Sequence, residues 1–308
     1  MTSTKTTLHF SFPSGFTILI ILKGRVLFKE REYLLLRAYV PGIEIMEITQ
    51  KNNINNPGLI ISYYPSKYQK ILYDDNNVII YDDWSKEIPV YFFHLIYSIS
   101  HDVLLKNGFY TVYSACVGKK DQWSLLLGHT GAGKTTVMLN LLYNYRFKMF
   151  SSNKTILKFK KVFGLEAIEG TTTVTCKNSD YTKLKIIDNS TNFVNRIAYR
   201  LPDRYSISKN KVKISRIYFI KLNPGVEECV KLNNFESIVS LCPLFLDYIN
   251  SDTILFNGKD LYSGISVDTQ LKKKILFSLK KSIIHIDVYS LNGSLDFISN
   301  TIKKHYEK

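Results

Sequence analysis

The chain has 308 residues, 45% of them hydrophobic and 22% charged, which is typical of a globular protein with one large or two modest domains. Its formal charge of +15 suggests an anionic partner, but the lysines are spread along the chain, so a solvated basic surface is favoured and nucleic acid is disfavoured. The longest early apolar run, residues 16–22, is shorter than the about 20 residues of a membrane span. Four scattered cysteines without C-x-x-C spacing favour reduced thiols and a cytoplasmic location.

Residues 1–104 are predicted to form a small, β-rich α+β domain. Short runs rich in β-branched and aromatic residues alternate there with turns that contain proline, glycine or asparagine. The predicted strands lie at 9–12, 16–22, 26–28, 33–39, 43–48, 59–63 and 78–81. Residues 91–105 carry apolar side chains at helical spacing, and we expect this helix to close the first domain.

Residues 105–308 are predicted to form a second domain, built on a twisted mixed sheet with flanking helices. Strands and helices are interspersed without strict βαβ alternation, which favours a mixed α/β fold. The predicted strands lie at 109–117, 123–127, 146–150, 155–159, 171–176, 184–187, 212–222 and 283–289. The predicted helices lie at 136–145, 235–249, 267–279 and 295–305, and residues 164–170 are predicted to form a loop.

A glycine-rich stretch between the strand at 123–127 and the helix at 136–145 fits G-x-x-x-x-G-K-[ST] at every fixed position. It consists of Gly128, His129, Thr130, Gly131, Ala132, Gly133, Lys134, Thr135 and Thr136. The glycines allow a tight turn whose N–H groups point inward, and the helix N-terminus adds partial positive charge. Lys134 is expected to reach the β- and γ-phosphates and Thr135 to bind Mg²⁺. The alternative is a glycine-rich turn that binds nothing.

Two other nucleotide-binding classes are disfavoured by missing motifs. The glycine-rich signature of an ABC-type ATPase and its apolar strand ending in Asp-Glu are both absent. The Asn-Lys-x-Asp motif of a small GTPase is absent as well, because Lys221-Leu222-Asn223 does not fit it. The phosphate loop therefore predicts nucleotide binding without assigning a reaction.

Residues 111–158 resemble the HPr kinase-like branch of the HPr kinase and PEP carboxykinase superfamily. The matching features are a strand that contains Tyr113-Ser114-Ala115-Cys116-Val117, a hairpin turn, the phosphate loop, a helix and the strand at 146–150. The order of elements matches over about residues 90–250, and the first domain is similar in size to that of stand-alone members from peptide-modifying gene clusters. The resemblance is specific at the phosphate loop.

The resemblance implies phosphoryl transfer from ATP, or GTP, with Mg²⁺ to a hydroxyl, usually a serine, of a peptide or protein. It also allows a homo-oligomer. The family places two acidic residues after the strand that follows the first helix, one of them as general base, and the matching positions here are Ser152 and Asn153. The family often has a histidine in the strand before the phosphate loop, and Tyr113 stands at that position here. With Lys134, Asn153 is thus a candidate catalytic residue.

Other residues could supply the missing carboxylate or contact phosphate. Asp188 and Asp287 each accompany an apolar run and are candidate catalytic and metal carboxylates, although ordinary surface aspartates are the simpler alternative. Glu169 is expected in the loop at 164–170, where it could cover the site. Arg200 and Arg204 are candidate phosphate or substrate contacts, with surface placement as the alternative.

Three functional hypotheses remain at this point. The first is an ATP- and Mg²⁺-dependent kinase that phosphorylates a peptide, a protein or a small molecule, and the intact Lys134-Thr135 pair favours it. The second is a catalytically degenerate nucleotide-binding or regulatory partner, which the loss of both acidic positions favours. The third is a nucleotide-dependent enzyme of another reaction class with the same phosphate loop.

Overall fold

The structure, a computed structural model, describes most of the chain. The described residues are 5–24, 28–47, 57–74, 77–84, 87–160, 164–177, 190–193, 196–207, 211–250, 254–256, 259–262 and 269–307. None of the helices in these ranges is both long enough and apolar enough to cross a membrane.

A six-stranded sheet is built from strands of the first 82 residues. In chain order, its part of the chain contains β1 (Lys5–Ser11), β2 (Thr17–Lys23), α1 (Glu30–Tyr39), β3 (Glu44–Glu47), β4 (Leu59–Pro65), β5 (Lys70–Asp74), β6 (Asn77–Asp82) and α2 (Val90–Lys106). The strand order is β3-β1-β2-β4-β6-β5, with β2–β4 and β4–β6 parallel and the other pairs antiparallel. Buried residues alternate along β2 because successive side chains point to opposite faces.

The prediction of a strand at residues 33–39 is wrong, because this segment lies in helix α1. The helix begins after Lys29, whose N–H donates to the Glu32 carboxylate at 3.0 Å, as in a capping box. Leu34, Leu35 and Leu36 are all buried. Apolar residues on several sides of a helix hide the 3.6-residue period, so that the sequence looks like a buried strand.

Helix α2 lies between the two larger cores of the molecule. Phe92 and Phe93 pack in the core of the first sheet, whereas Leu105 packs in a core of the second. The predicted domain boundary at residues 104 and 105 falls within this helix. The division of the chain into two domains there stays a prediction.

The rest of the chain holds a nine-stranded mixed sheet with helices on both faces. In chain order, this part of the chain contains β7 (Tyr110–Val112), β8 (Ala115–Lys119), β9 (Gln122–Leu127), α3 (Lys134–Tyr145), β10 (Lys148–Ser151), β11 (Thr155–Phe159), β12 (Leu165–Gly170), β13 (Thr173–Lys177), β14 (Ser190–Phe193), β15 (Arg196–Arg200), a 3₁₀ helix (Asp203–Tyr205), β16 (Val212–Leu222), β17 (Glu228–Lys231), α4 (Asn234–Asn250), β18 (Ile254–Phe256), β19 (Lys259–Tyr262), α5 (Thr269–Ile283), β20 (Asp287–Gly293) and α6 (Leu295–Glu307). The sheet runs β10-β8-β9-β16-β12-β11-β7, with β20 beside β16 and β17 beside β20.

The centre of this sheet is parallel and buried on both faces. Strand β16 pairs in parallel with β9 on one side and with β20 on the other. Leu126 and Tyr218 contribute to a core with residues of α3 and α6, whereas Leu125 and Ile217 contribute to a core with residues of α4 and α5. The mixed α/β fold class predicted from the sequence is therefore confirmed.

Two further predictions in this half need correction. Residues 165–170 form β12 rather than a loop, because Leu165 and Ala167 are buried and their strand pairs with β11 and β16. The strand predicted at residues 283–289 begins only at Asp287, since Ile283 is the last residue of α5. The strand predicted at residues 184–187 lies outside the described part of the chain.

Candidate functional site

The glycine-rich loop follows the buried strand β9, as the sequence predicts. Its three glycines have positive φ, at 144° for Gly128, 86° for Gly131 and 95° for Gly133, a region that other residues rarely adopt. Two of them also make close approaches. A Cβ atom on Gly128 would lie 2.6 Å from the carbonyl oxygen of Ile220, and one on Gly133 would lie 2.2 Å from Cδ1 of Leu222. The end of β16 thus requires glycine at both positions.

The loop is held at its base and open at its tip. The Leu222 N–H donates to the carbonyl oxygen of Ala132 at 3.0 Å, and the Ala132 N–H donates to that of His129 at 3.1 Å. His129, Thr130 and Gly131 are exposed. A Cβ on Gly131 would meet nothing within 4 Å, so the tip has room for a ligand.

The side chain of Lys134 folds over the loop from the first residue of α3. It is 6% exposed, and its Nζ donates to the carbonyl oxygens of Gly128 at 2.7 Å and His129 at 3.1 Å. The same Nζ lies 4.1 Å from the centroid of the Tyr113 ring, a cation–π distance. The ammonium group is therefore positioned at the loop.

The N-terminus of α3 suits the phosphates of a nucleotide. The Val137 N–H donates to the Gly133 carbonyl oxygen at 2.9 Å, so the earlier N–H groups of the helix are left for partners beyond its end. These donors, the helix dipole and Lys134 together favour an anion. Thr135 is partly accessible and has the hydroxyl that such sites use for Mg²⁺. The residues present therefore fit ATP or GTP with Mg²⁺.

The two positions where the resemblance places acidic residues follow β10. The hydroxyl of Ser152 is buried and donates to the Thr173 carbonyl oxygen at 2.7 Å, with the Thr171 carbonyl oxygen at 3.1 Å. Asn153 is partly buried, and its N–H donates to Oγ1 of Thr171 at 2.9 Å. Neither side chain can accept a proton at neutral pH.

A chain of buried hydroxyl groups joins this segment to the connection between β7 and β8. Ser114 Oγ donates to Thr155 Oγ1 at 2.7 Å, and Thr155 Oγ1 lies 2.5 Å from Ser151 Oγ. Ser114 adjoins Tyr113, whose ring lies against the ammonium of Lys134. The Ser152-Asn153 segment is thus linked to the loop through these contacts.

The structure does not bring Asp287 to the loop. Asp287 begins β20, opposite Arg216, which itself pairs with Ser124 of β9. The loop begins four residues after Ser124, about 13 Å further along at about 3.3 Å per residue. The Asp287 carboxylate forms an ion pair with Nζ of Lys231 at 2.7 Å instead. The hypothesis that Asp287 supplies a metal carboxylate beside the loop is therefore not supported, and Asp188 lies outside the described residues.

The remaining candidates lie away from the glycine loop. Glu169 at the end of β12 and Arg200 at the end of β15 line one cavity, whose lining contains no residue of the loop. Arg204 is exposed in the neighbouring 3₁₀ helix, where its guanidinium lies 4.9 Å from the Tyr205 ring. Glu169 was expected to cover the nucleotide site, but it lines this cavity and not the glycine loop.

Several residues that shape these regions carry no sequence signal. Lys154 is buried, and its Nζ donates to the Tyr39 carbonyl oxygen at 2.9 Å and lies 3.1 Å from the Tyr97 ring centroid, which ties the β10–β11 turn to α1 and α2. Asn292 pairs with Lys221 in the sheet, two residues beyond the Phe219–Leu127 pair that precedes the loop. Its Oδ1 is buried and lacks a hydrogen-bond partner among the described residues.

Comparisons with known proteins return only distant likenesses, all of them to solved structures. No protein-family model and no curated protein matches the chain. Among solved structures, the Hpr(Ser) kinase/phosphatase from Coxiella burnetii aligns with 63% of this chain and 91% of its own, at 9% identity and a TM-score of 0.29. A likeness that weak carries no conclusion about activity, so the function rests on the geometry of the site.

Proposed function

We propose that this chain binds ATP, or GTP, with Mg²⁺ at residues 128–136 and transfers the γ-phosphoryl group to a hydroxyl of a peptide, a protein or a small molecule. The observation that carries the proposal is the position of Lys134, the first residue of α3. Its Nζ donates hydrogen bonds to the carbonyl oxygens of Gly128 and His129 in the glycine loop. The open tip at Gly131 and the helix N-terminus support it.

Phosphoryl transfer depends mostly on positioning and on neutralising charge, which Lys134, the helix end and Mg²⁺ on Thr135 would provide. Because the transition state is loose, a general base contributes less than this cradle. The absence of a carboxylate at Ser152 and Asn153 is therefore expected to slow transfer without removing the site.

A second candidate function is binding without transfer, in which the bound nucleotide regulates a partner. The observation that favours it is the environment of Ser152 and Asn153, which stand where the family has its acidic pair and form hydrogen bonds with Thr173 and Thr171 instead. Asp287 does not replace the missing acidic residues, because it begins β20, whereas the glycine loop follows the end of the parallel strand β9.

Calorimetry with ATP, ADP and GTP in the presence of Mg²⁺, followed by mass analysis of the nucleotide, tests both candidates. Saturable binding with production of ADP or GDP supports transfer, and a screen of hydroxyl acceptors then defines the substrate. Binding without turnover in the presence of serine peptides supports the regulatory function. No binding of any of the three nucleotides would overturn both.

A further inference from the structure

A cavity of about 790 Å³ lies between the first sheet and the second half of the chain. We call it the inter-sheet cavity. Its walls include Glu44 of β3, Arg37 of α1, Glu169 of β12 and Arg200 of β15. Its volume is within the range of small-molecule sites. None of its lining residues belongs to the glycine loop, so it is separate from the proposed nucleotide site.

Two arginines of the lining repel one another. Burial and the nearby charge of Arg200, in that order, lower the pKa of Arg37 below its usual value. Within the described part of the chain, Arg37 forms no ion pair. Arg200 has one carboxylate neighbour, Asp203 at 3.4 Å, but both side chains are largely exposed and such pairs are weak. An anionic group between the two guanidinium groups would relieve this repulsion.

Two carboxylates of the lining repel one another as well. Burial first, and then the charge of Glu44, raise the pKa of Glu169 to about 7. Glu44 accepts a long hydrogen bond from Ser11 Oγ at 3.4 Å. The Glu169 carboxylate forms no ion pair with any described residue. A cationic group between these two carboxylates would be stabilised by both.

The two pairs do not neutralise each other. No ion pair joins Arg37 or Arg200 to Glu44 or Glu169 among the described residues. The charge of Arg200 lowers the pKa of Arg37, and the charge of Glu44 raises the pKa of Glu169. The partly buried Arg37 and Glu169 therefore have no ion-pair partner among the described residues, and a ligand with one anionic and one cationic group would supply one to each.

We propose that the inter-sheet cavity binds a small zwitterion, whose anionic group lies between Arg37 and Arg200 and whose ammonium group lies between Glu44 and Glu169. The ligand would carry its two charged groups several bonds apart, so that each group reaches its own pair of side chains. A short peptide with free termini and a free ω-amino acid share this chemistry. The proposal does not depend on nucleotide binding.

Calorimetric titration of the full chain with triglycine tests the proposal, and γ-aminobutyrate tests the free-amino-acid source. N-acetyltriglycine lacks the ammonium and triglycinamide lacks the carboxylate. We expect triglycine or γ-aminobutyrate to bind at millimolar or lower concentration. We expect loss of either charge from the bound probe to weaken binding by about tenfold or more, as for a charge-assisted hydrogen bond. Binding by one probe alone identifies the source of the ligand.

Variants locate the binding to the cavity. Arg200→Ala and Glu169→Gln should each weaken binding of the probe by about tenfold, whereas Lys213→Ala, on an exposed position of β16, should leave it unchanged. Lys134→Ala should also leave it unchanged, because Lys134 is not part of the cavity. Failure of both probes to bind, or equal binding of the neutralised analogues, would overturn the proposal whatever the outcome for nucleotides.

Discussion

The Nζ atom of Lys134 lies 4.1 Å from the centre of the Tyr113 ring, so the ammonium of the glycine loop rests against the residue that leads into β8. The same ammonium donates to two carbonyl oxygens of the loop. A bound phosphate would therefore replace neutral carbonyl acceptors with an ionised one, so that both partners of each hydrogen bond carry a charge.

Replacement of this lysine is the most direct test of the loop. We expect Lys134→Ala to weaken binding of ATP with Mg²⁺ by about 10- to 100-fold, since one or two hydrogen bonds to a charged phosphate are lost. Calorimetry measures the change, and Lys148→Ala, on β10, is the matched control. Unchanged affinity in Lys134→Ala would remove the phosphate-loop assignment.

The glycines of the loop should differ in their tolerance of alanine. Gly133→Ala brings a Cβ within 2.2 Å of Leu222 at φ 95°, whereas Gly131→Ala, at φ 86°, meets no atom within 4 Å. Both substitutions cost about 1 kcal/mol for the positive φ, but only Gly133→Ala adds the overlap, so we expect it to lose about 2 kcal/mol or more of unfolding free energy. Urea denaturation measures both.

A double variant identifies the cause of that loss. Leu222→Ala removes the side chain that the new Cβ would meet, so Gly133→Ala should cost less in that background than in the natural chain. An equal cost in both backgrounds would show that the overlap with Leu222 is not responsible.

Restoring a carboxylate tests the segment after β10. We expect Asn153→Asp to raise the rate of phosphoryl transfer by about 100-fold, the lower end of the range for a general base. Ser152→Asp is the contrasting variant, because it places a charge at a 3% exposed position and should lower the stability instead. Product analysis and thermal unfolding separate the two effects. If Asn153→Asp leaves the rate unchanged, the base position lies elsewhere.

The metal requirement should follow Thr135 rather than Asp287. Asp287→Asn breaks a surface ion pair with Lys231 and should change the Mg²⁺ dependence of nucleotide binding by less than about twofold. Thr135→Ala should weaken that dependence, since it removes the hydroxyl proposed to bind the metal. Titration with Mg²⁺ at fixed ATP measures both. A strong effect of Asp287→Asn alone would contradict the placement of β20.

The acidity of Glu169 predicts how stability depends on pH. Burial raises its pKa from the ordinary 4.5 to about 7 in the folded chain, so the folded state binds more protons than the unfolded state between these values. The contribution of this carboxyl group to stability is therefore present at pH 4.5 and lost as the pH rises through about 7.

Glu169→Gln should remove this dependence. We expect the variant to match the natural chain near pH 4.5 and to exceed its unfolding free energy above pH 7 by on the order of 1 kcal/mol, after allowance for solvent screening. Urea denaturation at several pH values measures the difference. Glu166→Gln is the control, because Glu166 has an ion pair with Lys160 at 3.1 Å and should gain no stability.

The successes and failures of prediction follow from how local each signal is. The strand, glycine loop and helix at residues 123–145 were predictable, because a buried run, three glycines and a helical period adjoin in the sequence. Helix α1 was not, since burial of Leu34, Leu35 and Leu36 on several sides hides its period. The strand at Glu169 was mistaken for a loop because its pairing partners in β11 and β16 are distant in the chain.

The sequence by itself determined the conformation of the glycine loop, because its geometry depends on residues that adjoin and on glycines that accept positive φ. Only the tertiary structure decided that Asp287 is remote from the loop, since the parallel register of β16 and β20 sets its position along the sheet. Only the tertiary structure brought Arg37 and Glu44 to the same cavity as Arg200 and Glu169. Side chains more than 120 residues apart meet through packing of two sheets, and no local pattern encodes that contact.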